Sequence, residues 1–270
     1  MTQPFKTFLA VNPRTILVEI TETQGSTPRE AGTFMLVSEH AIWGTIGGGQ
    51  FEFMAIGNAR ELLAGNGVEV MDIPLGPEIG QCCGGRTELR FQKMTAQLLE
   101  ELEAKRASEA EHRPEAHLFG AGHVGHALAA ALAPLPLSVT VVETRKEELA
   151  NLPAETKTVL SPMPEALVQD IPAGSAIVIL THDHALDFLI AKEALARADL
   201  AYVGMIGSAT KRATFSHWLI REGGDKASLE RLTLPIGGAT VKDKRPEVIA
   251  AMTAAELLTA FAAYASRSSS

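Results

Sequence analysis

The stretch Gly120-Ala121-Gly122-His123-Val124-Gly125 decides the fold of the second half of the chain. It follows an apolar segment, residues 116–119, that has the composition of a strand. The residues after it show helical spacing of apolar side chains: Val124, Ala127, Leu128, Ala131 and Leu132. Three glycines between a strand and a helix allow a tight turn and a close approach of the backbone to a phosphate. The stretch therefore predicts a Rossmann-type α/β domain with an anion site at the N-terminus of the helix.

Apolar segments beyond this turn alternate with helical segments, as in a parallel sheet covered on both faces. The predicted strands are residues 116–119, 139–142, 156–160, 176–180 and 202–206. Glu143 ends the second strand, 23 residues after Gly120, about where a ribose-binding acid belongs. A solvated strand end is the alternative. Arg145 faces either a phosphate or solvent, so the sequence does not decide the identity of the nucleotide.

The first half of the chain predicts a separate α+β domain. β-branched and aromatic segments bounded by polar or Gly/Pro turns indicate strands at residues 15–20, 33–37, 41–45, 68–73 and 87–91. Helices are expected over residues 51–63 and 96–111. His112-Arg113-Pro114-Glu115 breaks the second helix, which places the boundary between an N-terminal domain, residues 1–112, and a Rossmann-like domain, residues 113–270.

Polar residues follow two predicted strands at the edge where such sheets bind ligands. The segment Thr181-His182-Asp183-His184, with Asp187, has the residue types of a metal site, although an irregular loop fixes no coordination geometry. The alternative is a polar loop in which Asp183 or Asp187 caps the next helix. Ser208 begins a turn of small residues that exposes N–H groups to an anion, with Lys211 and Arg212 behind it.

Composition narrows the choice of partners. A net charge of −8 and a pI near 5.5 argue against nucleic acid and anionic lipid. No stretch approaches the ~20 apolar residues of a membrane span, and the first residues lack a signal peptide, so we expect a cytoplasmic protein without a membrane partner. The helix after Pro246 packs an apolar face on its own sheet or on a second subunit, as a homodimer. That face contains Val248, Met252, Ala255 and Leu258.

Six segments together resemble the XdhC/CoxI family of xanthine dehydrogenase accessory proteins, in order along nearly the whole chain. They are Gln24-Gly25-Ser26-Thr27-Pro28-Arg29 with Gly32, Gly44-Thr45-Ile46-Gly47-Gly48-Gly49 with Glu52, Gly80-Gln81-Cys82-Cys83-Gly84-Gly85, residues 119–125, residues 181–187, and Tyr202-Val203-Gly204-Met205-Ile206-Gly207-Ser208. Gln50 stands where related branches often carry a cysteine, so no role of that cysteine transfers to this chain.

The resemblance implies a chaperone, without turnover of its own, that binds the molybdenum cofactor (molybdopterin). It would protect the cofactor while a cysteine desulfurase replaces an oxo ligand by sulfur, and deliver it to xanthine dehydrogenase. Ser26, Thr27 and Arg29 would then hydrogen-bond the pterin or its phosphate. Gly47-Gly48-Gly49 would let the backbone approach a flat ring, with tight turns between strands as the alternative.

Cys82 and Cys83 are the only cysteines, and adjacent cysteines cannot form a disulfide framework. In the light of the resemblance, their thiolates are soft ligands suited to contact molybdenum or to carry persulfide sulfur. Inert packing is the alternative. We expect the cofactor between the two domains, with its phosphate near Gly122 to Gly125 and its metal end toward these cysteines.

His182, Asp183 and Ser208 complete the expected cofactor contacts at the strand ends. The alternative function is an NAD(P)-dependent oxidoreductase that uses the glycine turn, with Glu143 on the ribose. The sequence offers no clear acid or base for hydride transfer other than His182 or His184. A third hypothesis is a protein-interaction module with a vestigial nucleotide fold, since fold alone does not decide function.

Overall fold

A computed structural model describes residues 5–77, 84–238 and 240–268. The chain divides into two compact units, Met1–Arg106 and Ala107–Ser270. Cys82 and Cys83 lie outside the described residues, so their predicted contacts with molybdenum or sulfur stay predictions.

The described residues of the first unit form a five-stranded antiparallel sheet in the order β3-β2-β1-β5-β4. Its strands are β1 (Thr15–Gln24), β2 (Phe34–Ser38), β3 (Ile42–Gly44), β4 (Val70–Pro74) and β5 (Arg86–Lys93). Its helices are α1 (Phe5–Val11), α2 (Gly49–Ala64) and α3 (Ala96–Glu111), the last of which continues past the unit boundary.

Alternation along β1 gives this sheet two apolar faces. Ile16, Val18 and Ile20 pack with Phe51 of α2 on one face, whereas Leu17 on the other face packs in a smaller cluster. Phe8 of α1 and Leu102 of α3 belong to that smaller cluster. The sequence did not predict α1, because its seven residues are too few to show a clear helical period.

The described residues of the second unit form a six-stranded parallel sheet in the order β11-β10-β9-β6-β7-β8. The strands are β6 (Glu115–Phe119), β7 (Ser138–Glu143), β8 (Lys157–Leu160), β9 (Ala176–Ile179), β10 (Tyr202–Met205) and β11 (Leu232–Thr233). Counted from β6, this is the strand order 3-2-1-4-5-6 of dinucleotide-binding domains. The predicted Rossmann-like doubly wound fold is confirmed.

Helices cover both faces of this sheet. On one face α4 (His123–Leu132) and α7 (Pro246–Ser268) pack on alternate residues of the strands, such as Leu118. On the other face α5 (His184–Ala196) and α6 (Ala209–Arg221) surround Phe119 and Ile179. The topological reversal between β6 and β9 therefore opens a crevice at the carboxyl ends of the strands, beside α4.

Two connections differ from the alternating helices that the sequence predicted. A 3-10 helix, Lys146–Leu149, lies between β7 and β8, and a second one, Pro164–Asp170, lies between β8 and β9. Both segments are short and contain or precede prolines, which limits them to a turn or two of helix. The two-residue strand β11 was not predicted, because two residues carry no periodicity.

Helix α7 corrects two expectations. By length and composition alone, Pro246–Arg267 is long and apolar enough to cross a membrane, so the expectation that no stretch approaches that length was wrong. One such helix is weak support for a membrane span, because core helices of soluble proteins have the same length and composition. The face buried against the domain is Ala250, Thr253, Ala254, Leu257 and Phe261. The predicted face differs: Val248 and Met252 are half-buried, and Ala255 and Leu258 are exposed.

Candidate functional site

The three glycines of the turn after β6 are glycines for different reasons. Gly120 has φ +116°, and a Cβ there would lie 2.6 Å from the carbonyl oxygen of Leu180. A Cβ on Gly125 would lie 2.2 Å from the carbonyl oxygen of Gly120. A Cβ on Gly122 would meet no atom within 4 Å, and its φ of −71° suits any residue. Packing therefore explains the first and third glycines but leaves open space beside the second.

Gly122 is also the N-cap of α4, where no side chain caps the helix and no acidic residue stands in the first turn. The neighbouring helices differ, because Asp183 caps α5 and Ser208 caps α6. The first N–H groups of a helix have no partner within the helix. At α4 these donors and the positive end of the helix dipole face the open space beside Gly122.

Glu143 holds this turn to the end of β7. Its carboxylate is 4% exposed and accepts the N–H groups of Ala121 at 2.9 Å, Thr144 at 2.7 Å and Arg145 at 3.1 Å. The Arg145 guanidinium donates to both carboxylate oxygens, at 3.2 and 3.3 Å. Burial alone would raise the pKa of Glu143, but these hydrogen bonds outweigh it and lower the pKa to about 2. Protein donors thus surround the acid expected on the ribose.

A cleft of about 960 Å³ lies beside Gly122. Its basic side chains are His123, His126, Arg145 and His182. Its apolar wall consists of Ala127, Ala130, Leu152 and Pro153. The acidic residues Glu148 and Glu247 also line it, and Arg145 pairs with Glu148 at 3.1 Å. The sequence signalled His123 and His182 but not His126, which lies one helical turn after Gly122.

The loop after β9 is a helix cap. The Asp183 carboxylate accepts the N–H of Ala185 at 2.8 Å, which confirms the capping alternative. Among the described residues, no group of three or more His, Cys, Asp or Glu side chains has the arrangement of a metal site. Since His182, Asp183, His184 and Asp187 all lie in that part of the chain, the metal interpretation of this loop was wrong.

Asp187 connects the loop after β9 to the loop after β10. It is fully buried and accepts the N–H and hydroxyl of Thr181, at 3.2 and 2.7 Å. Lys211 of α6 donates to it at 2.5 Å and to the carbonyl oxygen of Ile206 at 2.9 Å. Arg212 donates to the carbonyl oxygens of Leu229 and Leu232. The two cations expected behind an anion therefore serve the protein itself, which corrects that expectation.

Two predicted loops meet in the first unit. A Cβ on Gly47, at φ +132°, would lie 2.8 Å from the ring of Pro28, so Gly47-Gly48-Gly49 packs against the segment that contains Ser26, Thr27 and Arg29. Gly85 adjoins the same segment, because a Cβ there would lie 2.2 Å from the carbonyl oxygen of Ser26. The structure thus brings these motifs together at one place in the unit.

Glu52 shapes the triple-glycine loop. Its carboxylate accepts the N–H groups of Ile46 at 3.0 Å and Gly48 at 3.1 Å, and the hydroxyl of Thr45. The N-terminus of α2 therefore holds a carboxylate of its own, unlike that of α4. Thr27 donates its hydroxyl to the carbonyl oxygen of Arg29 at 3.0 Å, while the side chains of Ser26 and Arg29 are exposed.

Two family descriptions match this architecture. The XdhC Rossmann domain matches residues 117–257, more than half of the chain, and the XdhC and CoxI family matches residues 9–73. The chain belongs to the XdhC and CoxI family. The resemblance found in the six sequence segments is thereby confirmed, and the glycine turn, the cleft and the Asp187–Lys211 pair all belong to the XdhC Rossmann domain.

Relatives of this XdhC/CoxI chain include an uncharacterized protein, YqeB, of Escherichia coli (strain K12). The two are 26% identical over 261 residues, which cover 90% of this chain and 42% of YqeB. The chain thus spans about two fifths of the length of that relative. A crystal structure described as a xanthine dehydrogenase from Bacillus halodurans matches with a TM-score of 0.76 at 15% identity, over 96% of this chain and 94% of that one. At that identity the likeness shows the fold alone.

Proposed function

We propose that this chain is an accessory protein of xanthine dehydrogenase that binds the molybdenum cofactor and hands it on without turnover of its own. Membership of the XdhC and CoxI family supports an accessory role. The observation that carries the binding proposal is Gly122, an uncapped helix N-terminus beside open space and a cleft with basic side chains. An anionic, phosphate-bearing ligand suits those donors.

The residues around the turn would act on the ligand's phosphate. The free N–H groups at the start of α4, at His123, Val124 and Gly125, would donate to its oxygens. The Arg145 guanidinium, which pairs with Glu143 and Glu148, and the imidazole rings of His126 and His182 would supply polar contacts along the cleft. Glu143 would hold the turn in place rather than contact the ligand, because its oxygens already accept six hydrogen bonds. The molybdenum that the cofactor's dithiolene holds would supply redox chemistry in the enzyme that receives the cofactor.

The loops of the first unit are proposed as the second set of contacts. Ser26 and Arg29 are exposed beside the triple glycine and are free to meet a polar ligand edge. Gly48 has open space on its Cβ side, as Gly122 does. Cys82 and Cys83 are proposed to contact molybdenum or to carry sulfur that a cysteine desulfurase provides, before insertion into xanthine dehydrogenase. A cytoplasmic location is part of the same proposal.

The alternative is an NAD(P)-dependent oxidoreductase. The strand order of the second unit favours it, since that order is typical of dinucleotide-binding domains. The saturated carboxylate of Glu143 opposes it, because a ribose would have to displace donors of the protein itself.

One titration tests the proposal against this alternative. Purified protein is titrated separately with molybdopterin, NAD(H) and NADP(H), and the ligand retained after gel filtration is measured. Retention of molybdopterin alone supports the proposal. Retention of a nicotinamide nucleotide without molybdopterin overturns it.

A matched pair of variants locates the site. Gly122→Leu fills the open space beside the turn, and Gly57→Leu adds the same side chain on α2, where a Cβ also meets no atom within 4 Å. Neither glycine has a positive φ, so both variants should fold. We expect Gly122→Leu to abolish retention of molybdopterin and Gly57→Leu to leave it intact. Equal retention by both variants would contradict a site at α4.

A further inference from the structure

A second cavity opens at the same carboxyl edge of the parallel sheet. It measures about 340 Å³, within the usual range of ligand pockets of ~300–1,000 Å³. The residues that follow β10, the segment after β11 and the first turns of α7 enclose it. Its apolar lining includes Ile206, Val241, Ile249 and Met252.

One wall of this pocket is fixed by hydrogen bonds within the protein. The wall contains Gly237 and Gly238, at φ +75° and +71°. The N–H of Gly237 donates to Glu256 at 3.0 Å, and the same carboxylate oxygen accepts the Tyr202 hydroxyl at 2.7 Å. Burial and the neighbouring carboxylate raise the pKa of Tyr202, so this hydroxyl stays a donor at all physiological pH values. The backbone wall is therefore in place before any ligand arrives.

The rim of the pocket is positively charged. Lys242 and Lys244 line it, and neither forms an ion pair within the part of the chain that the structure describes. The intervening Asp243 is paired with Arg245 at 2.6 Å, which offsets its charge. An apolar interior below two unpaired ammonium groups suits the flat face of an aromatic ring that carries an anionic substituent.

The start of α7 separates this pocket from the cleft beside Gly122. Pro246 and Glu247 line the cleft, whereas Val248 and Ile249 line the pocket. The cleft lies toward β7 and the pocket toward β10 and β11, on either side of the reversal between β6 and β9. A ligand whose phosphate meets α4 at that reversal can extend its other end toward the pocket.

We propose that this pocket holds a planar heteroaromatic ring with an anionic substituent, the ring end of the ligand whose phosphate binds at α4. The two glycines let the backbone approach a flat face, and Met252 adapts to its edge. The inference rests on the proposed function for the identity of the ring, a pterin. None of the residues that line the pocket belongs to the glycine turn or to the loops of the first unit.

Pterin-6-carboxylate is the direct probe, because it is fluorescent, anionic and free of phosphate. Its fluorescence anisotropy is followed as full-length protein is added. Met252→Trp fills the pocket, and Leu258→Trp places the same bulk on an exposed position of the same helix. We expect the first variant to weaken binding about tenfold or more and the second to change it less than about twofold. Equal affinity of both variants for the probe would overturn the inference.

Two further variants keep the test decisive if Met252→Trp does not fold. Val241 is 42% exposed, so the carboxylate in Val241→Glu can stay hydrated and the variant should fold. The substitution places a negative charge beside the anionic probe. A combined Lys242→Gln, Lys244→Gln variant should bind pterin-6-carboxylate more weakly, whereas its affinity for neutral 6-methylpterin should be unchanged. An unchanged affinity for the carboxylate in both variants contradicts the inference.

Parallel titration with molybdopterin separates the two proposals. Binding of molybdopterin that Met252→Trp leaves unchanged would overturn the ring pocket and keep the proposed function. Binding of pterin-6-carboxylate in the pocket, without retention of molybdopterin, would keep the pocket and overturn the proposed function.

Discussion

The carboxylate of Asp187 lies 2.5 Å from the ammonium nitrogen of Lys211, and only 9% of the lysine side chain and none of the aspartate side chain is exposed. The pair joins α5 to α6 and also contacts Thr181 and the carbonyl oxygen of Ile206. It therefore ties together the two loops that follow β9 and β10, at the ligand edge of the sheet.

Asp187→Ala should destabilise the protein by roughly 3–5 kcal/mol, because it leaves a buried ammonium group without its partner. The double variant Asp187→Leu, Lys211→Met should lose less stability than either single variant, since no charge is left buried. Urea unfolding measures each free energy. The more exposed pair of Asp243 and Arg245, in which the arginine side chain is 74% exposed, is the control, and Asp243→Ala should have a much smaller effect. A double variant as unstable as the sum of the singles would disprove the coupling.

Glu143 should make stability depend on acid pH. The pKa of Glu143 is about 2 in the folded protein and near 4.5 in the unfolded chain. Its contribution to the free energy of unfolding is therefore fully present at pH values above 4.5. As pH falls from about 4.5 toward 2, the free energy of unfolding should fall by roughly 2–3 kcal/mol, because each tenfold change in an acid dissociation constant is worth about 1.4 kcal/mol. Unfolding at successive pH values measures this loss. In Glu143→Gln the loss should be smaller, and an identical profile would rule out this role of the carboxylate.

Gly125 and Gly122 should respond in opposite ways to the same added methyl group. Gly125→Ala places a Cβ 2.2 Å from a backbone oxygen, so it should lower the melting temperature strongly or prevent folding. Gly122→Ala should melt within a few degrees of the natural protein, because its Cβ meets open space. Differential scanning calorimetry of both variants is the measurement. A comparable loss of stability in Gly122→Ala would show that packing explains this glycine too.

Glu52→Ala should loosen the triple-glycine loop of the first unit. The change removes the acceptor of two backbone N–H groups and one hydroxyl, and each unmet donor costs about 1–3 kcal/mol where it stays out of water. Hydrogen exchange of residues 44–50 should accelerate. Glu61→Ala, on the exposed side of the same helix, is the control and should leave exchange in that loop unchanged.

The sequence predicted the Rossmann domain because its signals are local. Gly120 to Gly125 and the apolar strands lie within short windows, and the turn between strand and helix has a fixed spacing. The buried face of α7 was misjudged, because many of its residues are apolar and helical period alone does not show which side meets the sheet.

Contacts between distant residues were harder to predict. Lys211 lies 24 residues after Asp187 on another helix, and each residue alone resembles an ordinary surface charge. The hydrogen bonds of Glu143 were missed for a related reason, since its position fits both a ribose contact and a clamp on the turn. The pocket near Gly237 depends on α7 returning to the sheet, which no spacing in the sequence indicates.

The empty side of Gly122 offers a way to sort the family without a binding assay. No neighbouring atom would oppose a larger side chain there, so natural drift should have replaced this glycine wherever the domain serves only as scaffold. Family members that retain glycine at this position should be the ones that still bind a ligand at the N-terminus of α4. Members with a bulky residue there should have kept the fold and lost the ability to bind the ligand.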